Sequence, residues 1–183
     1  MKTKLITLLA VLLCWAGADA QTASENARPA KKILVAYFSW GGNTQHVAER
    51  IASLTGGTLF RIEPMKPYPT EYRPCTEVAK AEKEADARPA IKSKVDNWDQ
   101  YDTVFIGCPV WWWTAPMIIC TFAESYDFGD KTVVPFCTYA ATYRDETLAR
   151  IRELTPAAEH LKGFGTTGKD TNGGESWLRT INV

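Results

Sequence analysis

The sequence predicts an α/β domain whose parallel sheet is covered by helices on both faces. Three observations carry this. Short apolar runs rich in strand formers alternate with segments of helical period. Most of these runs are continuously apolar, as strands buried on both faces are. The chain has 183 residues with 45% hydrophobic content, enough for one well-buried domain and too little for two.

The elements follow in order. Residues 32–38 (KILVAYF) read as a buried strand. Residues 43–54 place Val47, Ile51 and Leu54 at helical spacing, and Gly56-Gly57 closes that helix. Residues 58–63 (TLFRIE) alternate and read as a second strand. Residues 64–74 carry four prolines and read as loop. Residues 76–87 are charged and alanine-rich, the pattern of a solvated helix. Residues 103–108 (TVFIGC) are a third strand, and 115–125 a helix with Pro116 in its first turn. Residues 131–138 (KTVVPFCT) are a fourth strand. Residues 144–154 form a helix with Leu148, Ile151 and Leu154 on one side. A weak fifth strand is expected at 161–165 and a short last helix at 175–181.

The start of the chain stands apart. Lys2 and Lys4 precede an apolar run, 5–15, and Ala18-Asp19-Ala20 forms a small-x-small cleavage site. This is the pattern of a secretory signal peptide over 1–20, too short for a membrane span. A lipoprotein reading would use Cys14, but Leu13 is large where a lipobox wants a small residue. No twin arginine is present, so export in an unfolded state to the periplasm or beyond is expected. A polar leader, 21–30, then precedes the domain at 31–183. No other long apolar run is present, so no membrane span is expected.

Charge speaks mainly by exclusion. The chain carries 21 basic and 21 acidic side chains, and removing Lys2, Lys4 and Asp19 leaves 19 against 20. There is no basic stripe for nucleic acid. Four cysteines follow the signal segment: Cys75, Cys108, Cys120 and Cys137. An even number in an exported protein permits disulfides. Cys108, Cys120 and Cys137 lie in apolar runs and read as buried thiols, whereas Cys75, in a proline-flanked loop, is expected to react most readily. No CxxC pair occurs and the two histidines are isolated, so no metal is expected.

In parallel α/β sheets, ligands sit beyond the carboxyl ends of the strands. Three loops leave those ends here: 39–44, 109–114 and 138–143. The first, Ser39-Trp40-Gly41-Gly42-Asn43-Thr44, joins a strand to a helix. Its glycines let backbone N–H groups approach an anion, and the helix N-terminus adds unpaired donors. It has no Walker A lysine and no GxGxxG spacing. A terminal phosphate held by neutral donors fits this loop. A capped turn, with Asn43 or Ser39 as N-cap, is the alternative. The second loop places Trp111, Trp112 and Trp113 in succession. Successive side chains point different ways, so at least one should lie at the surface or against a flat aromatic ligand.

The stretches ILVAYFSWGGNTQHVAERI and VFIGCPVWWWTAPMIICTF together resemble the flavodoxin family. The match is to its branch with an S-x-x-G-N-T phosphate loop and a P-x-W-W second loop, and it extends from about residue 32 to the C-terminus. The resemblance implies a doubly wound three-layer sandwich with a five-stranded parallel sheet of order 2-1-3-4-5, in a short-chain form that binds FMN. It implies that Ser39, Gly42, Asn43 and Thr44 hold the phosphate, with Trp40 and Gln45 flanking it. Gly41 stands where the family usually has threonine. Pro109, Val110, Trp111 and Trp112 would lie beside the flavin ring. The third loop, Thr138-Tyr139-Ala140-Ala141-Thr142-Tyr143, lacks the family's glycine- and serine-rich turn, so Tyr139 or Tyr143 would supply a stacking face instead.

FMN would carry the redox chemistry. No Ser/His/Asp set, spaced Cys–His pair or loop of paired acids is visible, and an electron carrier requires none of them. An electron-transfer module acting between redox partners, or toward a small-molecule acceptor, is therefore expected. An FMN-dependent NAD(P)H:quinone-type oxidoreductase is the alternative.

Overall fold

A computed structural model describes residues 32–183. The signal segment, the polar leader and Cys14 lie outside the described residues. Strand β1 is Ile33–Tyr37, and helix α1, Asn43–Thr55, returns the chain to β2, Thr58–Arg61. Helix α2, Tyr72–Glu84, and a short 3-10 turn at Trp98–Gln100 lead to β3, Thr103–Pro109. Then come α3 (Met117–Glu124), β4 (Thr132–Tyr139), α4 (Arg144–Leu154), β5 (Glu159–His160), β6 (Phe164–Thr167) and α5 (Gly174–Thr180). All sheet pairings are parallel. The order is β2-β1-β3-β4, and β5 and β6 share the fifth position beside β4.

Alternation along each strand divides the core in two. Leu34, Ala36, Val104, Ile106 and Val133 face Ile118, Ile119 and Phe122 of α3 and Ile151 of α4. Val35, Tyr37, Phe105, Val134 and Phe136 face Val47 and Ile51 of α1 and Trp177 and Leu178 of α5. The result is the expected three-layer arrangement. β3 and β4 are buried along nearly their whole lengths, which is why they read as continuous apolar runs. β2 lies at the edge and is mostly exposed, which is why it is not a continuous apolar run.

The fifth strand is split for a local reason. β4 pairs with β5 at Thr132 and Val133 and with β6 from Phe136 to Tyr139. The interruption falls opposite Val134 and Pro135, and a proline has no N–H to contribute to a ladder. Gly163 passes against this point, where a Cβ would lie 2.8 Å from the Pro135 carbonyl oxygen. The single expected strand at 161–165 is therefore two short ones on either side of a close backbone approach.

α2 begins earlier than its charge pattern suggests. It takes in Pro74 and Cys75, so the proline-rich loop ends before residue 72. Proline is tolerated in a first helical turn, where its missing N–H would be unpaired anyway. The loop placement expected for Cys75 fails with this. It sits on the inner side of α2 at 3% exposure, not in a loop. Burial first, and the nearby Glu82 carboxylate second, push its thiol pKa up, which disfavours reaction. All four described cysteines are buried and free. Cys108 and Cys137 are cross-strand partners, and burial pushes Cys137 up to about 12.

Candidate functional site

The loops after β1, β3 and β4 converge at the carboxyl end of the sheet. Ser39 starts the first. Its Oγ accepts a hydrogen bond from the Gly42 N–H at 3.1 Å, curling the loop back on itself. Gly42 is the N-cap of α1, with φ 87°, a conformation that suits glycine. No side chain caps this helix, so neither Ser39 nor Asn43 serves as the alternative reading required. Among the described residues, no acceptor meets the backbone N–H of Asn43, Thr44 or Gln45. No acidic residue lies in the first turn. The helix thus presents uncompensated donors and the positive end of its dipole.

Ser39, Trp40, Gly41, Asn43 and Thr44 line a cleft of about 400 Å³ with Pro109, Val110, Trp111, Thr138, Tyr139, Ala140 and Gly168. The Thr44 and Thr138 hydroxyls meet at 2.8 Å and tie the first loop to the third. The Val110 N–H donates to the Thr138 carbonyl at 2.9 Å and ties the second to the third. No charged side chain lines this cleft. Two of the residues named for the phosphate end lie outside it. Gly42 serves as the cap, and Gln45 binds Glu49 and Arg61 through its amide.

A second cleft of about 500 Å³ adjoins the first and shares Trp40, Val110, Trp111 and Ala140 with it. Its other walls are Trp112 and Trp113, the 141–143 segment ending in Tyr143, and Tyr72, Cys75, Thr76 and Ala79 of α2. The three tryptophans behave differently. Trp111 packs edge-on against Phe38 and Tyr68, at 5.2 and 5.0 Å between ring centres. Trp112 donates its indole N–H to the Thr76 carbonyl at 2.8 Å. Trp113 is 55% exposed and faces Tyr143 at 6.1 Å.

The turn that carries these rings is strained. The Trp111 and Thr114 backbones exchange hydrogen bonds of 2.9 and 3.1 Å, closing a two-residue hairpin. Trp112 and Trp113 occupy its centre with φ of 45° and 72°. Both lie in the left-handed region that such turns demand and that glycine or asparagine usually fills. Each bulky residue held there costs roughly 1–3 kcal/mol. Lys83 opposes that cost. Its ammonium donates to the Trp112 carbonyl at 2.7 Å and lies 4.6 Å from the centre of the Trp113 ring.

Sequence reasoning missed Trp113, Gly168 and the α2 wall. The run of three tryptophans implied one exposed ring but not which one. Nothing local in the sequence tells that α2 would close the cleft. Of the two tyrosines left open, Tyr139 ends β4 in the first cleft, and Tyr143 caps α4 in the second with φ 65°.

The described residues contain no group of three or more His, Cys, Asp or Glu side chains placed to hold a metal. None of their helices is long and apolar enough to cross a membrane.

Comparison with known proteins agrees with this geometry. Residues 32–180 match the family model described as Flavodoxin. No curated protein matches the chain. A structure from Bacteroides eggerthii, assigned as a flavoprotein, is 37% identical, with a TM-score of 0.71 over 83% of this chain and 98% of that one. A similar assignment from Bacteroides uniformis is 34% identical, with a TM-score of 0.72 over 81% and 98%. A Lactobacillus acidophilus flavoprotein solved in complex with FMN is 23% identical and shares the fold, with a TM-score of 0.69 over 81% and 99%. Family model, sheet order and loop geometry converge: the chain belongs to the flavodoxin family.

Proposed function

We propose that this protein binds FMN in the two adjoining clefts and transfers electrons between redox partners. One observation carries the reading. A neutral, donor-lined cleft at a helix N-terminus opens directly into an aromatic cleft, a pairing that suits a phosphate joined to a flat ring. Ser39, Asn43, Thr44 and Thr138 supply neutral donors at the phosphate end, beside the free N–H groups of α1. Only one of the paired Thr44 and Thr138 hydroxyls can donate to the other, so a second hydroxyl proton remains for an anionic acceptor. Trp113 and Tyr143 offer aromatic faces at the ring end. FMN, when bound, supplies the redox chemistry, while the chain binds and orients it and sets its surroundings.

A second reading, an FMN-dependent NAD(P)H:quinone-type oxidoreductase, is favoured by the aromatic cleft alone. No charged side chain lines it, so it suits an uncharged planar acceptor. The signal-peptide pattern supports export to the periplasm, with redox partners on that side of the membrane. Intact mass of the mature chain tests this reading, with a start at Gln21 expected.

Flavin titration tests the cofactor. FMN should bind far more tightly than riboflavin, which lacks the phosphate. Thr44→Ala should weaken FMN by roughly 10- to 100-fold and leave riboflavin nearly unchanged, because a bond to a charged group contributes about 1.5–3 kcal/mol. Equal losses for both flavins would make the loop a structural turn and nothing more. Consumption of NAD(P)H with a quinone separates the two functional readings.

A further inference from the structure

We propose that Arg61, at the end of the edge strand, is a positioning residue for the phosphate loop and adds a full positive charge to the field of the α1 N-terminus. This rests on the FMN reading above and names a residue outside both clefts. The parallel register sets Arg61 beside Tyr37, the last residue of β1. Its side chain therefore reaches the loop that leaves β1. One guanidinium nitrogen, Nη2, donates to the Ser39 carbonyl at 3.2 Å, and Nη1 donates to the Gln45 side-chain oxygen at 3.1 Å. The two contacts grip both ends of the 39–45 segment across the mouth of the loop.

The Ser39 bond also orients the next peptide. A trans peptide points its N–H opposite to its C=O, and the described chain has no cis peptide. Anchoring the Ser39 carbonyl toward Arg61 thus turns the Trp40 N–H to the other side of the loop. That N–H meets no acceptor among the described residues. Arg61 is also the only cation that hydrogen-bonds the loop or Gln45 among the described residues. The nearby acids only partly offset it. Glu63 lies 3.8 Å from the Arg61 Nε and shares its charge with Lys92 at 3.6 Å. Glu49 accepts from the far side of the Gln45 amide at 2.9 Å. An always-charged guanidinium held beside neutral donors would favour a phosphate over an uncharged ligand.

The test compares wild type with Arg61→Met, Arg61→Gln and Arg61→Lys by flavin fluorescence titration at several salt concentrations. Arg61→Met and Arg61→Gln should each weaken FMN about tenfold, as expected for one partly exposed charge with its bonds. Riboflavin affinity should stay within about twofold, and the loss of FMN affinity on adding salt should become shallower than in wild type. Arg61→Lys should recover the salt dependence but only part of the affinity, because one ammonium does not span both acceptors. Melting of the apo-proteins checks that the variants fold. Wild-type FMN affinity in Arg61→Met and Arg61→Gln, equal losses for both flavins, or an unchanged salt slope would each remove the role of Arg61 and leave the FMN reading standing. A wild type that binds neither flavin would remove both.

Discussion

The hydroxyls of Thr44 and Thr138 lie 2.8 Å apart, buried, across 94 residues of sequence. Thr44 lies in the first turn of α1 and Thr138 is the penultimate residue of β4, so this hydrogen bond ties together two walls of the site. Thr138→Val should leave the Thr44 hydroxyl without its partner and lower stability by about 1–3 kcal/mol in urea unfolding. The double variant Thr44→Val with Thr138→Val should recover most of that loss, because both polar atoms are then gone. A strictly additive double variant would mean that the two hydroxyls do not depend on one another.

Trp111 and Trp113 should separate when each is changed to alanine. Trp111 packs against Phe38 and Tyr68 at the edge of the core. Trp111→Ala should therefore cost roughly 1–3 kcal/mol of apo-protein stability, as the loss of a partly buried, packed side chain does. Trp113 is largely exposed, and alanine keeps the Cβ that strains this left-handed position, so Trp113→Ala leaves the cost of the turn nearly unchanged. It should change apo stability by less than about 1 kcal/mol while weakening FMN and riboflavin alike. Thermal melts with parallel flavin titrations give both readouts. A Trp113→Ala variant with intact affinity for both flavins would take that ring out of the site.

The fold was legible where burial repeats along the chain. β1, β3 and β4 could be read because each is enclosed on both faces, and the alternation of elements then fixed the parallel sheet. The split of β5 from β6 was not, although its cause, Pro135, was in plain view. A proline in a strand-like run does not say which neighbour lacks a hydrogen bond. The loop 39–44 could be read because its chemistry is local: strand, glycines and helix start follow one another. Arg61 and the α2 wall could not, since they reach the site only through strand register and helix packing. Cys75 was misplaced because the four prolines masked a helix that tolerates Pro74 in its first turn.

His160 provides a pH test. Burial, with help from the nearby Arg152 charge, holds its pKa below the ordinary 6.5, and its Nε2 lies 2.9 Å from the Thr155 hydroxyl. The folded protein therefore takes up this proton less readily than the unfolded chain. The stability linked to His160 is present above pH 6.5 and is lost as the pH falls through the folded value. Chemical denaturation between pH 7.5 and about 5 should show a decline that His160→Gln makes shallower. An unchanged pH profile in that variant would assign the decline to other groups.

Native protein should react slowly with a thiol reagent. The described cysteines are all buried, and burial raises the pKa of each. Denaturation should release four equivalents from a chain beginning at Gln21, with no reductant added. Rapid modification of one thiol in the native state would point to Cys75, which alone of the four lines either cleft. Fewer than four equivalents after denaturation would show a disulfide.

The break at Pro135 has a consequence for encounters between copies of this chain. An unbroken edge strand offers a row of free backbone groups on which another chain can build. Here one side of the sheet ends in β5, of two residues, and β6, of four, with a gap between them. The other side ends in β2, also of four residues and carrying Arg61. Among the described residues both borders are short, which limits the backbone a neighbouring strand could pair with. The proline that interrupts the fifth strand thus shortens the edge on which a second chain could build.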